Sequence, residues 1–127
     1  MSSPIAAAEL GIFDALSAGV TLAPVFQDVP DGTTAPIVIL AELSGDPIGG
    51  KGSRSLRLSL TVTTEVWQEQ RQPILDLQEE VRVAIDGRKL LVDGYEVTMI
   101  SAGSEARQVG PAQYFGTSTF DGFVTPA

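Results

Sequence analysis

The chain predicts an α+β domain: a mixed or antiparallel sheet of four to five strands with two helices packed on one face. Three observations predict it. One long stretch alternates strictly between apolar and polar residues, two others carry helical periodicity, and turn-forming pairs separate short apolar runs. In Arg54 to Trp67 (RSLRLSLTVTTEVW), Leu56, Leu58, Leu60, Val62 and Val66 occupy even positions and are interrupted only by Thr64, while Ser55, Arg57, Ser59, Thr61, Thr63 and Glu65 occupy odd ones. Side chains of a strand alternate between faces, so this is a long strand with one face on a core and one toward water or a polar partner. At roughly 3.3 Å per residue it spans about 45 Å, so part of it is expected to project beyond a small domain with its edges unpaired.

The other elements follow in order. Ser3 before Pro4 is a helix start, and Ile5, Ala8, Ile12 and Leu16 share one face, giving a helix over Pro4 to Ala18 closed by Gly19. Val25 and Phe26 form a short edge strand before the turn at Pro30. Pro36 to Leu43 (PIVILAEL) reads as a more buried strand. Ser44 to Ser53 (SGDPIGGKGS), with four glycines and a proline, reads as a mobile loop. Beyond Trp67 the period changes: Ile74, Leu77, Val81 and Ile85 share a helical face, and Pro73 belongs in a first turn, so a helix runs from Gln72 to Ile85. Asp93-Gly94 between Leu90-Leu91-Val92 and Tyr95 to Met99 signals a two-residue hairpin. A loop near Ala102 to Pro111 then leads to a last strand over Gln113 to Val124.

Composition narrows the function. A chain of 127 residues forms one domain, 1–127, with a single core. No apolar run approaches the ~20 residues needed to cross a bilayer, and MSSPIAAAELG lacks a basic leader, so a soluble cytoplasmic product with no membrane partner is expected. With no cysteine and no histidine, thiolate metal sites and imidazole catalysis are excluded. Sixteen acidic against eight basic residues give a formal charge of −8, which opposes non-specific binding to nucleic acid.

No motif carries chemistry. Gly45 to Gly52 (GDPIGGKG) nearly spells a phosphate-binding loop, but Gly52 stands where a hydroxyl is required and the segment leads into a strand instead of a helix. Glu79 and Glu80 point about 100° apart on a helix and form a solvated face, not a catalytic pair. Asp86, Asp93 and Asp121 each precede glycine, as turns require. Trp67, Tyr95, Tyr114, Phe115, Phe120 and Phe123 have few basic neighbours and read as core or rim aromatics. Lys51, Arg54 and Arg57 form a small basic spot suited to an acidic partner or to plain solvent. Residue physics alone thus gives an acidic binding or assembly domain.

The order and pattern of the whole chain resemble the tail-terminator (tail-completion) proteins of long-tailed bacteriophages and prophage-derived particles. The likeness rests on Phe13-Asp14-Ala15-Leu16, on Val29-Pro30-Asp31 before Pro36-Ile37-Val38-Ile39-Leu40, and on the glycine loop entering the alternating strand. It extends through Thr64-Glu65-Val66-Trp67, the helix from Leu77 to Ile85 and the closing Phe120 to Val124. The resemblance implies a non-enzymatic virion protein without cofactor or metal, acting in the tail or neck after assembly in the host cytoplasm. It implies a six-copy ring on the completed tail tube that stops polymerisation, meets a head-closure connector and lets DNA pass without specific binding. Asp46, Pro47, Ile48, Lys51, Arg54 and Arg57 are the candidates for contact with a neighbouring subunit or the tube protein. Two alternatives stay open: another neck component, such as a head-closure or joining protein, and a small enzyme or ligand-binding domain built on carboxylates.

Overall fold

A computed structural model describes residues 3–50 and 53–127. The elements are α1 (Pro4–Gly19), β1 (Val25–Phe26), β2 (Ile37–Pro47), β3 (Leu56–Val66), α2 (Gln72–Ile85), β4 (Lys89–Val92), β5 (Tyr95–Gly110) and β6 (Gln113–Pro126). One sheet holds all the strands in the order β1-β2-β3-β6-β5-β4. Only β1 with β2 is parallel; the other neighbours are antiparallel.

Alternation explains the centre of this sheet. Leu58, Leu60, Val62 and Val66 of β3 are buried, as are Tyr114, Phe120 and Val124 of β6 and Tyr95, Val97 and Met99 of β5. They meet Ala8, Ile12 and Leu16 of α1 and Ile74, Leu77, Val81 and Ile85 of α2 in one cluster, so both helices cover the same face. Thr64 does not break the pattern: it points into this core with 1% of its surface exposed. The bounds of α2 match the expected ones, and α1 runs one residue further, to Gly19. Ser3 Oγ caps α1 by accepting from Ala6 N at 3.2 Å. In the β4–β5 turn Asp93 and Gly94 have φ of 49° and 82°, the left-handed pair that a two-residue hairpin demands.

Four expectations are corrected. The sheet has six strands among the described residues, not four to five, because both short runs, Val25–Phe26 and Lys89–Val92, pair with a long strand and join the one sheet. Residues Ser44 to Pro47 are strand, pairing with Ser59 to Leu56. The supposed loop at 102–111 is mostly the far half of β5, pairing with β6 as far as Gly110↔Gln113. In both segments most residues are exposed on either face, which erases the period-two signal while backbone pairing to the neighbour remains. Lastly, β3 does not project: from Leu56 to Val66 it is paired with β6 on one side, and with β2 along nearly its whole length on the other.

Candidate assembly surface

The sheet face away from the helices is open. Registers place Glu42, Ser44 and Asp46 of β2 on it, beside Arg57, Ser59, Thr61, Thr63 and Glu65 of β3. Next come Phe115, Thr117, Thr119, Asp121 and Phe123 of β6, then Glu96, Thr98, Glu105 and Arg107 of β5. Its middle is a hydroxyl belt in which Thr61 pairs with Thr119 and Thr63 with Thr117. Carboxylates at Glu42, Asp46, Glu65, Glu96, Glu105 and Asp121 outnumber the cations of Arg57, Lys89 and Arg107. Lys89 is tied to Glu96 at 3.8 Å, and the Arg107 guanidinium lies 6.0 Å from the centre of the Phe115 ring. This face suits contact with a polar surface or with water, and its charge repels phosphate.

The candidate contact residues cluster in part. Asp46 and Pro47 end β2, where Asp46 stands opposite Arg57 and Pro47 opposite Leu56. Ile48 extends the ladder by donating its N–H to Ser55 O at 3.0 Å, and Ser53 N donates to Gly50 O at 3.1 Å, so the described residues 48–50 and 53–55 stay paired beyond the strands. Arg54 turns away from the group and stacks over Tyr95, 5.4 Å from the ring centre, beside the β4–β5 turn. Lys51 lies outside the described residues.

Glu80 carries a role that its place on a charged helix hid. Its Oε1 accepts from the backbone N–H groups of Thr21 and Leu22, both at 2.9 Å, and its Oε2 accepts from Thr21 Oγ1 at 2.7 Å. The carboxylate thereby fastens the chain leaving α1 onto α2. The Thr21 hydroxyl holds the Glu80 pKa below its ordinary 4.5; burial opposes it, and the backbone donors of Leu22 and Thr21 add to the lowering. A depressed carboxylate pKa means stability that is present above the ordinary value and lost as pH falls through the folded value. Glu80→Gln is therefore expected to cost about 1 kcal/mol at pH 7, a drop in Tm of roughly 3–5 °C. The gap from wild type should close in melts below pH 4.5; a gap independent of pH would refute the assignment. Glu79 differs, being ion-paired with Arg82, whose guanidinium also reaches Asp86 at 3.2 Å.

Between α2 and the far halves of β5 and β6 lies a cleft of about 270 Å³ lined by Gln78, Glu79, Arg82, Ser101, Ser104 and Ser118. It brings together one carboxylate, Glu79, already neutralised by Arg82, and three hydroxyls, so it offers no acid–base pair. Among the described residues no three or more acidic groups converge on a metal position.

No family model matches this chain, and no curated protein matches it by sequence. Among solved structures, it superposes on a chain from the "Virion of native gene transfer agent (GTA) particle" with a TM-score of 0.77 at 16% identity. The match covers 97% of this chain and 98% of that one, so the two share one fold from end to end.

Proposed function

We propose that this domain is a virion structural protein that closes the tail tube: a six-copy ring that ends polymerisation and presents a surface to the head connector. The observation that carries the reading is the end-to-end likeness to a virion chain, joined to the tail-terminator pattern of the sequence. An acidic, hydroxyl-lined sheet face with the helices all on the other side supports it, because such a face can border a channel without gripping DNA. Asp46, Pro47, Ile48, Arg54 and Arg57 sit at or near one end of the sheet, where they would meet the neighbouring subunit or the tube.

The test is light scattering coupled to size exclusion, with negative-stain images, alone and after mixing with assembled tubes. Hollow sixfold rings, or caps seated on tube ends, are expected. Attachment to the connector without the tube would favour a head-closure role instead, and a monomer that ignores both would overturn the proposal.

The channel assignment makes its own prediction. Replacing Glu65, Glu105 and Asp121 together by lysine should create salt-sensitive binding to duplex DNA, read by fluorescence anisotropy, where the wild type shows none. The slope of log affinity against log salt should correspond to about three neutralised phosphates. A triple variant as inert as the wild type would remove this face from the channel.

A further inference from the structure

Two strands of the sheet are covered along only part of their outer side. β4 lies beside β5 only from Tyr95 to Thr98, so among the described residues no strand flanks β5 from Ile100 to Gly110. Asp86, at the end of α2, meets this margin, its Oδ1 accepting from Ser101 N at 2.8 Å, while beyond Ser101 the edge has no strand beside it among the described residues. On the opposite margin β1 lies beside β2 only at Val38 and Ile39, leaving Leu40 to Pro47 uncovered. Such edges are templates for strand pairing. Here they lie on opposite margins and toward opposite ends of the sheet.

We infer that the uncovered edge of β2 in one copy pairs antiparallel with the uncovered edge of β5 in the next. This rests on the ring reading above and names the contact that builds the ring. Direction agrees: three antiparallel steps separate β2 from β5, so the two run oppositely and a rotated copy presents them antiparallel. Charge separates the register from its two nearest alternatives. Pairing must keep the helix face continuous, which allows shifts of two residues only. With Ser44 opposite Glu105, Glu42 faces Arg107, Asp46 faces Gly103, and Leu43 meets Ala106 on the helix side. Two residues one way sets Asp46 against Glu105, and two the other way sets Glu42 against Glu105, both like-charge pairs that destabilise a sheet.

The same register closes into a barrel. Within one sheet Ser44 lies level with Ser59, Asp121 and Ile100. Joining it to Glu105 displaces the next copy by five residues, one of them in the irregularity between Ser101 and Gly103, or about 13–16 Å along the strands. Four strand widths separate equivalent positions, about 19 Å across. The resulting slope is about 35–40°, inside the range of strand tilts at which sheets close into barrels. Six copies would then enclose a ring about 45 Å between facing backbones, room for a DNA duplex.

The absence of native cysteine makes the test clean. Ser44→Cys combined with Glu105→Cys puts thiols at directly opposed positions of the inferred ladder, where Cα separations suit a disulfide. Both residues are exposed in the single copy, so the fold should tolerate them. Under mild oxidation the pair is expected to convert the monomer band into a ladder ending in a closed species. Ser44→Cys with Arg107→Cys, out of register, should largely stay monomeric. Rings visible in micrographs without a ladder from either pair would overturn the edge contact and leave the ring. A ladder growing without limit would uphold the contact and sink the closed ring. Monomers with neither ladder nor rings would end both.

Discussion

Gly122→Ala is expected to unfold the protein or to cost at least about 3 kcal/mol, the upper range for forcing atoms into a filled interior. Gly122 lies in the middle of the sheet, opposite Leu58 on one side and Met99 on the other. A methyl group there would overlap Thr98 O and stand 2.7 Å from Met99 Sδ and 2.9 Å from Met99 Cα. The thioether can swing aside, but the backbone of β5 cannot. It is held by β6 along its length, and moving it would open the ladder that fixes both strands. Urea unfolding followed by circular dichroism provides the measure. A midpoint within about 1 kcal/mol of wild type would show that β5 yields there, and would weaken the picture of β6 as the rigid spine of the sheet.

The second large effect is expected at Phe120, the largest of the fully buried side chains. It projects from β6 into the core shared by α1 and α2, opposite Leu60 on β3 and Ser101 on β5. Phe120→Ala should cost about 3–5 kcal/mol, because the cavity left between sheet and helices cannot collapse without moving both layers. Against a total stability of 5–15 kcal/mol typical of single domains, that loss brings the protein close to the unfolding threshold. Phe123, three residues on and half exposed on the open face, is the built-in control. Phe123→Ala should change the melting temperature little. Equal losses at 120 and 123 would mean that a partner or a second layer covers the open face even in the free protein.

Much of this architecture is legible in the residues because burial leaves a period. The even positions of 56–66 are all on the helix side, and the 3.6-residue stripe of Ile74, Leu77, Val81 and Ile85 gives α2 to the residue. The Asp93-Gly94 turn declares itself through backbone geometry that few other pairs adopt. What was hidden lacked a buried face. Ser101 to Gly110 carries Ser, Gly, Glu and Gln on both sides, so nothing in its pattern distinguishes a paired edge strand from a loop. Thr64 and Gln78 look like solvent-facing residues, yet they sit in the core at 1% and 6% exposure.

The candidate surface was legible only in its chemistry. The acidic balance and the hydroxyl run at 59–64 are visible in the string, but the uncovered edges are not. They depend on β6 entering between β3 and β5, an order of strands that no local periodicity encodes. Asp46 and Arg57 stand out in the string for their loop and their charge, and in the fold they are opposed on one ladder. Glu80 was lost among its charged neighbours because its partners, Thr21 and Leu22, lie nearly sixty residues away.

That strand order also sets the tempo of folding. Leu60 pairs with Phe120, so the central seam joins positions far apart in the chain and must close a long, floppy loop before it yields any contact. Sheets dominated by such distant pairings form in milliseconds to seconds, whereas helical bundles need microseconds. During that interval β3 has β2 at its side but no β6, and its edge, rich in β-branched residues, stays available to any other chain. The subunit is thus most prone to aggregate before the seam closes. Faster refolding at low concentration, with losses rising steeply as concentration increases, would be the kinetic signature of a sheet completed from its middle last.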